Sequence, residues 1–303
     1  MPRILITGAS GFIGRALVDG LVGYSGSELH AVTRDTIKGP LSEHVTWHEC
    51  SLLDKQSVGA LFAKLRPEVL IQLAWCADHG TYWKDPANFD WLCTNLFIAR
   101  CFVRHGGRRA IFAGTSAEYD WSAYAPLHET DTPLRPQQLY GSCKLAAFWA
   151  IKSFFEQEGV SWAWARFFNP FGPYEDRRRL IPKVCLNLLA GKILDFDAGL
   201  SQRDFLHVDD VGSALAALAQ SEVQGPVNVA SGEAISIRDL VSALARLMQK
   251  DHMVNFIGTQ DVADAVVADV SRLRAEVGWS PPRSFEDRLH ETSEWWRLHS
   301  SNQ

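Results

Sequence analysis

The sequence has no surplus of basic charge. Its 30 Lys and Arg stand against 35 Asp and Glu, for a formal net charge of −5, so it lacks the electrostatic footprint of a nucleic-acid binder and no nucleic acid is expected as a partner. The 6 cysteines form no C-x-x-C pair and do not cluster with histidines. That spacing excludes zinc-type ligation, and free thiols in a reducing cytosol are expected, with no metal. No apolar run approaches the ~20 residues of a membrane span. The N-terminus enters a strand pattern rather than a charged-then-apolar leader. A cytoplasmic protein with no membrane partner is expected. There is no internal repeat and no low-complexity segment. What remains is 303 residues, 47% of them apolar, enough to bury one large core or two unequal ones without a disulfide or metal.

The first two-thirds alternates short β-branched runs with amphipathic stretches, which predicts βα units on a parallel sheet. Strands are expected at Arg3–Thr7, Leu29–Thr33, Val45–Cys50, Val69–Ala74, Ala110–Thr115 and Trp162–Phe167. The clearest helical patterns run from Pro86 to His105 and from Tyr140 to Glu158. Apolar runs with few polar interruptions suit strands covered on both faces. The fold class is therefore α/β: a Rossmann doubly wound parallel sheet with helices on both faces, plus a smaller C-terminal α/β lobe. Residues 1–168 are assigned to the Rossmann domain, with 203–222 rejoining it through a strand near Phe205–Val208 and a helix through Val211–Ala219. Residues 169–202 and 223–303, including a strand at Val227–Ala230, are assigned to the smaller, substrate-binding lobe. The Arg177-Arg178-Arg179 run reads as a solvated charge cluster.

The first strand runs directly into Gly8-Ala9-Ser10-Gly11-Phe12-Ile13-Gly14 and then a helical pattern. Such a turn needs one glycine for the tight bend, another for close backbone approach to a pyrophosphate and a third for helix–strand packing. The helix N-terminus then faces the phosphates. The second strand ends Thr33-Arg34-Asp35. An acid ending that strand would accept the ribose hydroxyls of NAD, whereas a small residue followed by a guanidinium suits the 2′-phosphate of NADP. NADP is the expected coenzyme. The alternative is NAD, with Arg34 on the surface and Asp35 serving the ribose in a shifted register.

Tyr140 and Lys144 lie four apart at the start of a helix, on one face. A phenol has a reference pKa of about 10, and a nearby ammonium is expected to bring it toward working range. Such a pair occurs by chance in many chains. Here it follows Ile111-Phe112-Ala113-Gly114-Thr115-Ser116, a strand ending in hydroxyls at the edge where open α/β sheets place their sites. A hydroxyl there can bind a developing oxyanion beside the tyrosine.

These motifs resemble those of the extended short-chain dehydrogenase/reductase family of nucleotide-sugar epimerases, dehydratases and reductases. The resemblance continues through Arg166-Phe167-Phe168-Asn169-Pro170-Phe171-Gly172-Pro173, Arg203-Asp204-Phe205-Leu206-His207-Val208-Asp209-Asp210 and Asn228-Val229-Ala230-Ser231-Gly232, and so spans nearly the whole chain. It implies a catalytic set of Thr115, Tyr140 and Lys144, with Thr115 and Tyr140 25 residues apart and Ser116 as the alternative hydroxyl. Coenzyme contacts are implied for Gly8, Ser10, Gly11, Phe12, Ile13, Gly14, Thr33, Arg34, Ser51, Leu52, Leu73, Ala74, Trp75, Asn95, Tyr140, Lys144 and Phe167. Thr115, Ser116, Asn169 and Arg203 are implied on the substrate, with Asn169 and Arg203 facing its diphosphate. Plainer roles stand beside these: Asn169 as a turn residue before Pro170, Arg203 in a salt bridge with Asp204, Trp75 as core.

The chain also departs from the pattern. Related dehydratases follow the catalytic threonine with Asp-Glu, where this chain has Ser116 and Ala117, so water elimination is not expected. The implied activity is NADPH-dependent reduction of a keto group, at C4, on a nucleotide-activated deoxysugar, and a NAD-dependent 4-epimerase is the alternative. The apolar excess of the Tyr140–Glu158 helix, with Leu145, Phe148, Trp149, Ile151, Phe154 and Phe155, points to a homodimer formed with the Pro86–His105 helix.

Overall fold

The computed structural model describes residues 1–22, 26–34, 44–76, 78–123, 125–197, 199–258 and 264–300. In chain order the first half runs β1 (Arg3–Thr7), α1 (Phe12–Val22), β2 (Glu28–Thr33), β3 (Val45–Glu49), α2 (Lys55–Leu65), β4 (Val69–Gln72), α3 (Ala87–Arg104), β5 (Arg109–Thr115), α4 (Leu139–Glu158) and β6 (Ser161–Phe167). The expected strands and both long helices are therefore present, with ends shifted by a residue or two. Every one of these strands pairs in parallel with its neighbours. Covered on both faces, they read as continuous apolar runs, and all seven residues of β5 are buried.

The second half continues with β7 (Asn169–Phe171), α5 (Leu180–Leu189), β8 (Leu194–Phe196), β9 (Gln202–Arg203), β10 (Phe205–His207), α6 (Val208–Gln220), β11 (Gly225–Val229), β12 (Ile235–Ser236), α7 (Ile237–Leu247), β13 (Val254–Phe256), β14 (Ala265–Val266), α8 (Ser271–Ala275) and α9 (Phe285–His299). Two expectations change here. The strand near Val227–Ala230, assigned to the smaller lobe, is β11 and forms the edge of the main sheet, whose order is β11-β6-β5-β4-β1-β2-β3. It runs parallel to β6, from Gly225 beside Ala163 to Val229 beside Phe167. Conversely β10, expected to rejoin the main sheet, pairs with β7 in a separate two-stranded sheet. Only α6 returns, because it docks on α1. A Cβ on Gly212 would lie 2.4 Å from the Ala16 backbone, so glycine is what lets the two helices touch.

Two apolar cores sandwich the main sheet, one beneath α1 and α6 and one beneath α2, α3 and α4. A third, built from Phe171, Ile181, Val184, Leu188, Leu240, Leu244 and Trp296, holds the smaller lobe together. Strand order reverses between β1 and β4, and a crevice opens at that reversal at the C-terminal ends of the strands.

Candidate active site

The turn after β1 is shaped by what it cannot accommodate. Gly8 adopts φ +68°, and a Cβ on it would meet the Ala74 nitrogen at 2.9 Å, while one on Gly14 would sit 2.1 Å from the Gly8 carbonyl oxygen. The backbone is thus drawn tight under the start of α1, leaving its first amides toward the crevice.

Two adjoining cavities fill that crevice. One, of about 360 Å³, is lined by Gly8, Gly11, Phe12, Ile13, Gly14, Leu73, Ala74 and Trp75 on one side and by Thr115, Ser116, Tyr140, Lys144, Phe167 and Asn169 on the other. The second, of about 450 Å³, shares Gly8, Gly11, Ala74 and Trp75, and extends past Ser10 to Thr33, Arg34, Ser51 and Leu52. A long channel with a glycine cradle at its middle, a guanidinium at one end and Tyr140 with Lys144 at the other fits a dinucleotide. Asp35 lies outside the described residues.

Thr115 ends β5 and caps a single helical turn, Ser116–Glu118. Its Oγ1 accepts from the Ala117 amide at 3.2 Å, and its own amide donates to Glu118 at 2.9 Å. Because Oγ1 accepts from the backbone, its proton is left to donate into the cavity. Tyr140 lines the same cavity as Thr115, whose hydroxyl opposes the rise of its pKa, and is boxed by Tyr82 and Trp83, with ring centroids 4.9 and 5.6 Å away. Lys144 Nζ donates to the Ala113 carbonyl at 2.8 Å, lies 4.0 Å over the Trp75 ring, and sits 6.0 Å from the Tyr140 ring. Trp75 is fixed in turn by a 2.8 Å bond to Asn88, and it both packs against the core beneath α2, α3 and α4 and lines the two cavities.

The electrostatics differ from expectation. Lys144 was expected to lower the Tyr140 pKa, yet burial pushes Tyr140 up and holds it protonated. Burial also pulls Lys144 down to about 7, against the pull of the Glu118 carboxylate. The ammonium spends its bonds on Ala113 and Trp75 rather than on the phenol.

Behind Thr115 lies the feature the sequence reading missed. Glu118 and Arg166 are both fully buried and joined at 2.8 Å. Glu118 also accepts from Trp164 Nε1 at 2.9 Å, and Arg166 donates to the Tyr119 hydroxyl at 3.0 Å and the Glu129 carbonyl at 3.2 Å. The available signal was a lone arginine, Arg166, in the otherwise apolar end of β6, which only a buried acidic partner makes tolerable.

Two site residues fall elsewhere. Asn95 is buried within α3, donating to Trp91 O at 2.9 Å, and lines neither cavity. Arg203 also lines neither. Pairing of β9 with β14 sets it beside Asp264, which it grips at 3.1 and 2.9 Å. Nor does Arg203 pair with Asp204, whose carboxylate is buried and accepts from the Ser231, Gly232 and Ala268 amides. The charge run was more than a solvated cluster: Arg179 lines the cavity beside Asn169 and Asp176, bonded to Glu175 at 2.8 Å. Its neighbour Arg178 ties Asp176 to Asp78 across the cavity mouth. Among the described residues no cluster of three or more potential metal ligands occurs, and no helix is long and apolar enough to cross a membrane.

Comparison with known proteins agrees with this geometry. A model described as the NAD dependent epimerase/dehydratase family matches residues 4–230. The chain is 25% identical over 308 residues to the dTDP-4-dehydro-6-deoxyglucose reductase of Escherichia coli, covering 94% of this chain and 95% of that protein. It is 23% identical over 339 residues to the dTDP-glucose 4,6-dehydratase of Escherichia coli, covering 97% and 93%. Among solved structures, the UDP-glucose 4-epimerase of Thermus thermophilus in complex with NAD superposes with a TM-score of 0.85 at 25% identity, covering 97% of this chain and 99% of that one.

The site predicts a trade of stability for function. Lys144 has its folded pKa below its unfolded value, so its burial costs most stability below about pH 7, and the cost fades as pH rises toward the unfolded value. Lys144→Met should therefore melt several degrees higher than the parent at pH 7, by a margin that shrinks at pH 10, while losing activity. Differential scanning calorimetry at the two pH values checks this, and a variant less stable at pH 7 contradicts it.

Proposed function

The chain belongs to the NAD dependent epimerase/dehydratase family, and from that premise we propose that it is an NADPH-dependent reductase of a keto group, at C4, on a nucleotide-activated deoxysugar. The observation that carries this reading is Tyr140, brought with Thr115 and Lys144 to the wall of one cavity and held protonated by burial. A protonated phenol is the form a carbonyl reduction needs. Ser116 and Ala117, following Thr115, offer no acid–base pair for eliminating water, which argues against dehydration.

The coenzyme, when bound along the glycine cradle, supplies the hydride. The chain's own part is positional and protic. Thr115 donates a hydrogen bond to the substrate oxygen, Tyr140 delivers its proton to that same oxygen, and the phenolate is reprotonated from solvent. Phe167, Phe168 and the aromatic box keep water from the reacting carbon. Arg179, beside Asn169, is the cation positioned for the substrate's diphosphate, the role first expected of Arg203. Arg34 supports NADPH, since it is exposed at the coenzyme channel's end, where a 2′-phosphate would meet it. The 4-epimerase reading is favoured by the NAD in the Thermus thermophilus epimerase. An epimerase would hold its coenzyme through turnover, whereas a reductase exchanges it.

A homodimer is part of the proposal. Phe89 on α3 and Trp149 on α4 are 57% and 49% exposed, and the two helices pack side by side. Light scattering at micromolar concentration should return twice the chain mass, and a monomeric mass contradicts the dimer.

Two substitutions test the chemistry. Tyr140→Phe keeps the ring packing and should lower turnover by about 100-fold or more while NADPH still binds; near-normal turnover removes Tyr140 from the mechanism. Arg34→Ala should weaken NADPH by about ten- to a hundredfold, the worth of charge-assisted bonds to a phosphate, and leave NADH nearly unchanged. Titration with both coenzymes reads the pattern, and equal losses make Arg34 a surface residue.

A further inference from the structure

A third cavity, of about 80 Å³, lies directly beside the reaction site. Trp83, Ala117, Tyr119, Trp121, Gln137, Gln138 and Gly141 line it, and it shares the rings of Trp83 and Trp121 with the large cavity that holds Thr115 and Tyr140. Ala117 and Gly141 each stand one step along the chain from a residue of that site, Ser116 and Tyr140. Its walls are fixed. Tyr140 donates its amide to the Trp83 carbonyl at 3.1 Å, and Trp83 packs edge-on against Trp121, with centroids 6.2 Å apart. A Cβ on Gly141 would lie 2.4 Å from the Ala117 carbonyl oxygen, so the floor admits nothing larger than glycine.

The chemistry of these walls is selective. No charged side chain lines the cavity. Trp121 Nε1 is already bonded to the Ser116 carbonyl at 2.7 Å, and the Tyr119 hydroxyl to Asn228 at 2.7 Å, so both rings turn spent polar atoms away and offer carbon. The exposed Gln137 and Gln138 carboxamides bring polarity to the lining. A buried hydroxyl there would go largely unpaired, and a carboxylate would be worse.

Resting on the proposal that C4 of a nucleotide sugar reacts between Thr115 and Tyr140, we infer that this cavity is a specificity subsite for the carbon branch on the neighbouring ring carbon, C5, and that it takes that branch as a methyl group. On an ordinary hexopyranose ring the C5 branch is the only carbon substituent, the others being oxygens. A methyl group suits walls where the polar atoms of Tyr119 and Trp121 are already bonded elsewhere. The subsite selects a 6-deoxy sugar over its hydroxymethyl and carboxylate counterparts.

Calorimetric titration of the NADPH-saturated protein with UDP- and dTDP-linked 6-deoxyglucose, glucose and glucuronate tests this without requiring turnover. The 6-deoxy sugar should bind about tenfold or more tightly than glucose, and glucuronate should bind weakest of the three. Ala117→Ser, which places a hydroxyl in the cavity, should narrow the gap between 6-deoxyglucose and glucose. Ala117→Val, which fills it, should weaken both sugars while leaving free UDP and dTDP unchanged. Equal affinity for the three sugars, tightest binding of glucuronate, or a preference that Ala117→Ser leaves untouched would overturn the subsite. NADPH oxidation with a nucleotide-linked 4-keto-6-deoxy sugar is read separately. A methyl preference without oxidation keeps the subsite and overturns the reductase reading, whereas failure of every nucleotide sugar to bind overturns both.

Discussion

The ion pair of Glu118 with Arg166 is the constraint around which the site is built. Both side chains are fully buried, so each would be intolerable alone: breaking such a pair from one side costs about 3–5 kcal/mol. The pair links three elements that must meet in one place. Glu118 fixes the turn after β5 by accepting the Thr115 amide, and Arg166 projects from the neighbouring strand β6. Through Tyr119, Asn228 and Glu129 the network reaches β11, the sheet's outer strand. Gly114 belongs to the same constraint, since a Cβ there would lie 2.2 Å from Trp164 Nε1 and 2.9 Å from Glu118. The Thr115 backbone is thus anchored by buried charge, and its hydroxyl oxygen by the Ala117 amide of the same turn.

That arrangement also governs the electrostatics of the two other catalytic candidates. Burial raises Tyr140 and lowers Lys144, while the Glu118 carboxylate raises both. Burial thus keeps the proton on Tyr140 and makes it a weaker acid, one that yields its proton to an alkoxide rather than to water.

Much of this was legible in the sequence, because the features involved are local. Strand and helix periods, the glycine turn, Thr115 ending β5 and the Tyr140/Lys144 spacing all report on neighbours a few residues apart, and the channel lining includes nearly every residue expected of it. What could not be read depended on distant pairings. The β9–β14 pairing turned Arg203 toward Asp264, and the β10–β7 and β11–β6 pairings exchanged the expected places of two strands. The Glu118–Arg166 pair joins positions 48 residues apart, and no spacing rule marks it. The aromatic box of Tyr82 and Trp83 comes from the segment between β4 and α3, where no period exists to read.

The central claim is that hydride passes from the coenzyme to a sugar carbon and stays there. NADPH dideuterated at the nicotinamide C4 tests it directly, incubated with the protein and a nucleotide-linked 4-keto-6-deoxy sugar and followed by mass spectrometry and absorbance. The account predicts one deuterium on C4 of the product sugar and one NADPH consumed for each sugar reduced. An isomerised sugar without label, formed with no net loss of coenzyme, would contradict it.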